Sequence, residues 1–402
     1  MSLVSAMKDH EPFPWYQSMR EHAPVHYNSE EDYWEVFRFE DVNKVLSDHK
    51  NFSSDLKYLN LPNEDNVILP FFKQSLIQMD PPQHKTFRNL VNQPFWPKSV
   101  AELTPRIQKI TYELLNGVAG KEQMDVIDDF AYPLPVTVIA ELLGVPHEDR
   151  DLFKHWADVQ VATGVGVIGQ RIDDPETLRA RQQVQDEMSR YFKTILEARR
   201  KEPQSDLITH LLASEIQGER LSEEQLLGFC SLLLIAGHIT TTNLIANAFL
   251  CLAEYPEALT SLRNRPELIP SFVEEVLRYR SPVQRITRFT ATDTKIGGQT
   301  IRAGQRVLAW IGSANRDELN FPNANQFDLE RNPNPHLAFG HGIHICLGAP
   351  LARLEGKVAF DVLLQRLSDM NCLDDTVFEP IESSVIYGVK QLPIRIQSTA
   401  VV

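Results

Sequence analysis

The chain has 402 residues, 43% of them hydrophobic, and a formal net charge of −14 from 40 Lys and Arg against 54 Asp and Glu. That length is ample for a buried core, and the surplus of acid argues against nucleic acid or an anionic membrane as the main partner. The four cysteines share no spacing, so they give no disulfide framework and fit a reducing, cytoplasmic setting. No linker, charge block or internal repeat divides the chain, and residues 1–402 are expected to form a single domain. Met1 to His10 carries no apolar signal region.

Pro12 to Tyr16 opens a helical piece that ends before Pro24. Tyr33 to Arg38 is predicted as a strand from its aromatic and β-branched content, with Asp41 capping a helix over Val42 to Leu46. Residues 55–78 read as a long loop whose apolar members, Leu76 and Ile77 among them, cover something. Pro81 and Pro82 then open a helix that puts His84 and Arg88, four apart, on one face. Helical segments are predicted over about 100–118, 133–143 and 147–163. The three glycines of Thr163 to Gly169 loosen the chain there, as a lid over a site would require.

Leu226 to Ala253 has no Asp, Glu, Lys or Arg. It does carry His238, Thr240, Thr241, Thr242, Asn243 and Asn247, too many polar groups for a lipid-facing helix. It is therefore predicted as a long helix buried through the middle of the protein, with no membrane anchor. Gly237 and the threonines are poor formers of its interior, and a threonine hydroxyl can bond the carbonyl four residues back. A local opening of the helix is expected at Ala236-Gly237-His238-Ile239-Thr240. Glu275 and Arg278 pair at helical spacing further on. Ser281 to Arg288 leads from that helix into a strand, Ile296 to Ile301 is a hairpin about Gly297-Gly298, and Val307 to Ile311 is another strand. Ser383 to Gly388 is a turn whose tip, Ile386, could enter a pocket.

The densest chemistry lies in Phe339-Gly340-His341-Gly342-Ile343-His344-Ile345-Cys346-Leu347-Gly348. Gly340, Gly342 and Gly348 permit positive φ and close approach, clearing one face of Cys346. Leu347, Leu351, Leu354 and Val358 follow at helical spacing, with Arg353, Glu355 and Lys357 mostly on other faces. Cys346 thus stands at a helix N-terminus, where the dipole lowers a thiol's pKa. Such a thiolate is a metal ligand or a nucleophile. Cys230, Cys251 and Cys372 are too scattered to complete a zinc site, and a hydrolase using Cys346 with His344 is a rival. One cysteine with glycines clearing its face suits a large planar complex, haem iron with an axial thiolate.

Phe-Gly-x-Gly-x-His-x-Cys-x-Gly resembles the haem-binding loop of the cytochrome P-450 family, and the likeness extends in the family's order over nearly the whole chain. Among the soluble bacterial members the chain is similar to Bacillus enzymes that oxidise steroids, terpenoids and fatty acids. The resemblance implies a mainly α fold with a small β portion, haem b between the long central helix and the cysteine loop, and a monooxygenase. It implies Cys346 as axial ligand and Thr240 as the hydroxyl beside bound oxygen. His84, Arg88, Arg288 and His344 would hold the propionates, with Arg285 the rival to Arg288. Ala236, Gly237, Phe339, Gly340 and Gly348 would line the haem. The family's acid before the threonine is missing, Ile239 standing in its place, so proton relay falls to Thr240, Thr241 or ordered water, with His238 either a further relay or a buried packing histidine pointing away from the haem. Glu275 and Arg278, completed by Arg331, would be structural. Leu76, Ile77, Ala236, Ile239, Val283, Ile286 and Ile386 are expected to contact a hydrophobic substrate. The electrons would come from NAD(P)H through a separate ferredoxin or flavodoxin and its reductase, to a monomeric enzyme. A peroxide-driven enzyme of the same fold and a non-enzymatic haem sensor are the alternatives.

Overall fold

The computed structural model describes residues 10–58, 75–149, 151–153, 155–156, 159, 175–216, 218–373 and 379–398. The predicted lid at Thr163 to Gly169, residues 59–74 of the covering loop and the end of the 147–163 helix lie outside the described residues. In chain order the longer helices among the described residues are α1 (Phe13–His22), α2 (Phe39–Ser47), α3 (Gln83–Val91), α4 (Thr104–Gly117), α5 (Pro133–Leu142), α6 (Pro175–Lys201), α7 (Leu207–Ala213), α8 (Glu223–Glu254), α9 (Pro256–Asn264), α10 (Ile269–Tyr279) and α11 (Ala349–Arg366). The strands are β1 (Val25–Asn28), β2 (Tyr33–Val36), β3 (Phe52–Ser53), β4 (Gln123–Asp125), β5 (Arg285–Thr290), β6 (Thr294–Ile296), β7 (Gln299–Ile301), β8 (Arg306–Trp310), β9 (Leu367–Cys372) and β10 (Pro393–Ser398). The fold is mainly helical with a small β portion, as the sequence implies.

Helix α8 is the axis of the molecule. It starts with a capping box: Ser222 Oγ accepts the Gln225 N–H at 3.1 Å and Gln225 Oε1 accepts the Ser222 N–H at 2.9 Å. Glu223 and Glu224 lie in its first turn, where the dipole favours them. Its most apolar stretch is 78% buried in protein, packed against α5, α10 and α11. A helix apolar all round is here a core helix rather than a membrane span. Gly237 belongs to that packing, since a Cβ added there would stand 2.7 Å from the Ile139 side chain of α5.

The expected opening of α8 is absent; the helix runs unbroken. The polar side chains bond back to the backbone instead: Thr240 Oγ1 donates to Ala236 O at 2.9 Å, Thr241 Oγ1 to Gly237 O at 3.3 Å and Asn243 Nδ2 to Ile239 O at 2.8 Å. These side chains satisfy themselves on the helix without breaking its ladder.

Five strands form the sheet β1-β2-β8-β5-β3, with β2 and β8 parallel and the other pairs antiparallel. Its Val36, Val307 and Ala309 share a buried cluster with Val42, Val45 and Leu46 of α2. Helix α2 begins at Phe39, ahead of the predicted Asp41 cap. Its free Phe39 N–H is accepted by Asp317 Oδ2 at 2.8 Å, a cap supplied from 278 residues away. Glu275 and Arg278 of α10 are both fully buried, with Arg278 Nη2 donating to Glu275 Oε1 at 2.7 Å and Nε to Oε2 at 2.8 Å. Arg331 Nε joins them at 3.1 Å, and Arg278 also donates to the carbonyls of Asn315, Ala324 and Gln326. A buried pair completed by so many carbonyls pins the irregular segment that leads to the cysteine loop.

Candidate active site

A cavity of about 290 Å³ lies between α8 and the cysteine loop. One face of α8 lines it through Phe229, Leu232, Leu233, Ala236, Gly237, Thr240, Thr241 and Leu244, the stripe that 3.6 residues per turn produces. Opposite stand Phe339, Gly340, His344, Cys346, Leu347 and Gly348, while Leu76, Ile77, Val283 and Ile286 close the ends with Arg88.

Cys230 and Cys251 are buried and Cys372 is half-buried; Cys346 alone is exposed, and what it faces is this cavity rather than the outer surface. The loop around it is held by the Cys346 N–H donating to Phe339 O at 2.8 Å. Gly340 and Gly342 both take φ +71°. A Cβ at Gly342 would meet the Leu46 carbonyl and Ser47 Cα backbone of α2 at 2.9 Å. The thiol pKa is raised: burial outweighs the N–H groups of Gly348 and Ala349 and the guanidiniums of Arg88 and Arg353, which pull it down. The helix N-terminus alone therefore does not produce the expected low value in the free thiol.

At one edge His84, Arg88, His344 and Arg288 gather. The His84 and His344 rings stand 4.3 Å apart. Burial lowers the His84 pKa to about 4 and that of His344 to about 2, with neighbouring Arg88 and Arg288 adding to the effect. Both imidazole Nε2 atoms are buried without a partner among the described residues. Arg288 is buried too, and burial brings its pKa down to about 10. The strand decides between the two arginines. Arg288 shares the face of cavity-lining Ile286, whereas Arg285 points the other way, bonding Ser384 Oγ at 2.9 Å with its guanidinium over Trp310.

A sequence model described as cytochrome P450 matches residues 171–397. The chain is 45% identical over 386 residues to a protein named putative cytochrome P450 YjiB of Bacillus subtilis, covering 96% of this chain and 93% of that one. The crystal structure of CYP109E1 from Bacillus megaterium in complex with testosterone superposes with a TM-score of 0.86 at 41% identity, over 96% of this chain and 99% of that one. P450BioI in complex with an acyl carrier protein carrying hexadec-9Z-enoic acid superposes at 0.88 and 36% identity, over 98% and 100%. The chain belongs to the cytochrome P450 family. Its relatives are monooxygenases, hydroxylases and epoxidases, and it is such an enzyme. Cytochromes P450 carry haem b on a cysteine thiolate and use O2 with electrons passed from NAD(P)H by partner proteins.

The residues present fit that cofactor. The one exposed thiol faces the cavity, and a Cβ at Gly348 would meet nothing within 4 Å, so a flat group has room against the loop. At the edge, two guanidiniums and two unsatisfied imidazoles stand ready for two carboxylates, which Arg in particular suits.

Two expected contacts take other places, and His238 takes the packing role rather than the relay. Ile239 is off the α8 stripe that lines the cavity, one position round the helix from Thr240. Ile386 stays outside the lining; it pairs as an isolated bridge with Val283, which does line it. His238 lies on the far side of α8, fully buried against Tyr132, with Nδ1 donating to Leu234 O. Burial holds its pKa at about 4, so it is neutral and remote from the cavity.

One residue was missed. Glu355 lines the cavity, is buried, and has both carboxylate oxygens without a partner among the described residues. Burial alone raises its pKa to about 8. The signal was present in the spacing, since Leu351, Glu355 and Val358 share one face of α11.

Proposed function

We propose that Cys346 is the thiolate ligand of haem b and that the chain hydroxylates a hydrophobic substrate without a carboxylate, of the steroid or terpenoid class. The observation that carries this is the arrangement of the cavity, with one thiol on its floor, one threonine stripe facing it and basic groups confined to one edge. Haem b would supply O2 binding and activation. The Thr240 O–H is committed to Ala236 O, so its oxygen lone pairs are free to accept a hydrogen bond from a proton-bearing group in the cavity. Glu355 is the one acid among the described lining residues, and burial keeps it protonated near neutral pH, which supports it as a proton donor where Ile239 cannot serve.

The substrate class follows from the rest of the lining. Arg88 and Arg288 are taken up by the propionates in this reading, and Leu76, Ile77, Leu232, Val283 and Ile286 are aliphatic. Among the described lining residues a free fatty acid would find no further cation for its head group, whereas a steroid or terpenoid asks for none. The steroid bound by the CYP109E1 neighbour supports the same choice. Electrons come from a separate ferredoxin or flavodoxin and its reductase, and the chain works as a single cytoplasmic unit. The test is optical titration of the ferric protein with steroids, terpenoids and fatty acids, then product analysis. Conversion to high spin by steroids or terpenoids but not by fatty acids is expected. Tight binding by fatty acids alone would overturn the assignment. Turnover that peroxide sustains, and that reductase and ferredoxin do not, would favour the peroxide-driven reading.

A further inference from the structure

Helix α10 carries two adjacent carboxylates with different partners. Glu275 faces Arg278 and Arg331 and holds the irregular segment. Glu274 faces the cysteine loop. Arg353 of α11 reaches it with both arms of its guanidinium, Nε to Oε1 at 2.7 Å and Nη2 to Oε2 at 2.9 Å. His336 reaches the same carboxylate, Nε2 to Oε2 at 3.0 Å. The Ala338 N–H points at His336 Nδ1, 3.3 Å away. Nδ1 therefore accepts, and Nε2 carries the hydrogen donated to Glu274.

These contacts enclose the loop from both sides. His336 precedes Cys346 in the chain and Arg353 follows it. From His336 the path runs through Ala338 to Phe339, whose carbonyl accepts the Cys346 N–H. From Arg353 it runs along the first turn of α11 to Gly348 and Cys346. Arg353 also closes the ring directly, its guanidinium lying over Phe339 at 4.4 Å from the ring centre. We propose that Glu274 is a positioning residue for the Cys346 sulfur, tying the chain that enters the cysteine loop and the helix that leaves it to one carboxylate on α10. This rests on the reading of Cys346 as the haem ligand.

A carboxylate so placed has to stay charged. Burial would raise Glu274, but the hydrogen bonds from His336 and Arg353 outweigh it and bring its pKa down to about 2. Glu274 and Arg353 are nevertheless partly open to solvent, at 30% and 43%. An ion pair that exposed adds little to global stability, so its consequence is local. It restrains the loop without holding up the fold.

The experiment follows the red-shifted Soret band of the ferrous CO complex, the mark of a thiolate-ligated haem, in the holoprotein during mild heating. Glu274→Gln and Arg353→Gln should each lose the band about tenfold faster than wild type, the scale of one charge-assisted hydrogen bond. The double variant should lose it no faster than either single one. His336→Gln, whose amide can still donate to Glu274, should be restored towards wild type relative to His336→Ala. Thermal unfolding followed by circular dichroism should be unchanged. Lys357→Gln, which breaks the exposed Lys357–Asp361 pair on the same helix, should behave as wild type. The proposal is overturned if Glu274→Gln keeps the band as long as wild type, or if loss of the band merely tracks a lowered unfolding midpoint. A wild-type protein lacking the band would instead refute Cys346 as the ligand.

Discussion

Replacing Glu355 by glutamine tests the physics of the cavity wall. Glutamine keeps the volume and cannot ionise. In the folded protein the Glu355 carboxyl is buried with no cation beside it, and burial raises its pKa from 4.5 to about 8. At about 1.4 kcal/mol per pH unit, that rise amounts to at most about 5 kcal/mol. The sign follows from proton counts. Above about pH 4.5 the unfolded chain gives up this proton while the folded chain keeps it, so folding is favoured less as pH rises. The contribution of Glu355 is fully present below about pH 4.5 and lost as pH climbs to about 8. Denaturant unfolding of the holoprotein across that window, followed by circular dichroism, should show wild type falling relative to Glu355→Gln. Effects of all other groups cancel in the difference between the two curves. Difference infrared spectra of wild type at neutral pH should also contain the carbonyl stretch of a protonated carboxylic acid, absent from the variant. Parallel stability curves, or no such stretch, would refute the reasoning and mean that Glu355 is ionised and paired.

Arg88→Ala should leave a haem carboxylate short of a charged donor, a loss of about 1–3 kcal/mol, read as faster haem transfer to apomyoglobin; an unchanged rate would remove Arg88 from the propionate site. Gly342→Ala sets a Cβ 2.9 Å from the Leu46 and Ser47 backbone at φ +71°, and should cost about 1–3 kcal/mol in unfolding experiments, while Gly348→Ala, open to the cavity, should leave stability unchanged and weaken haem retention. Thr240→Ala should lower product formed per NAD(P)H consumed, whereas Ile239→Asp should leave that ratio near wild type because position 239 is off the lining face; the reverse pattern would show that α8 is rotated relative to the cavity.

What the sequence determined by itself was local and periodic. The cysteine with its glycines, the His84 and Arg88 face, the uncharged core helix and the Glu275–Arg278 pair are all short-range patterns. Each follows from helical spacing or from one residue's freedom of φ, and the chain carries such information within ten residues or so. Tertiary structure decided what each face meets. The N–H of Phe39 finds its cap in Asp317, far along the chain, where the local sequence offers Asp41. Arg288 and Arg285 are equivalent by composition; the pairing of β5 with β8 and the docking of Ile286 against the cavity turn one towards the site and the other towards Trp310. The sequence pattern alone sets Glu355 mostly off the apolar face of Leu347, Leu351, Leu354 and Val358. Packing α11 against α8 buries it all the same, and the energy is met by keeping its proton. Periodicity states which side chains share a face, but only the packed neighbour determines whether that face is water, a flat cofactor or another helix.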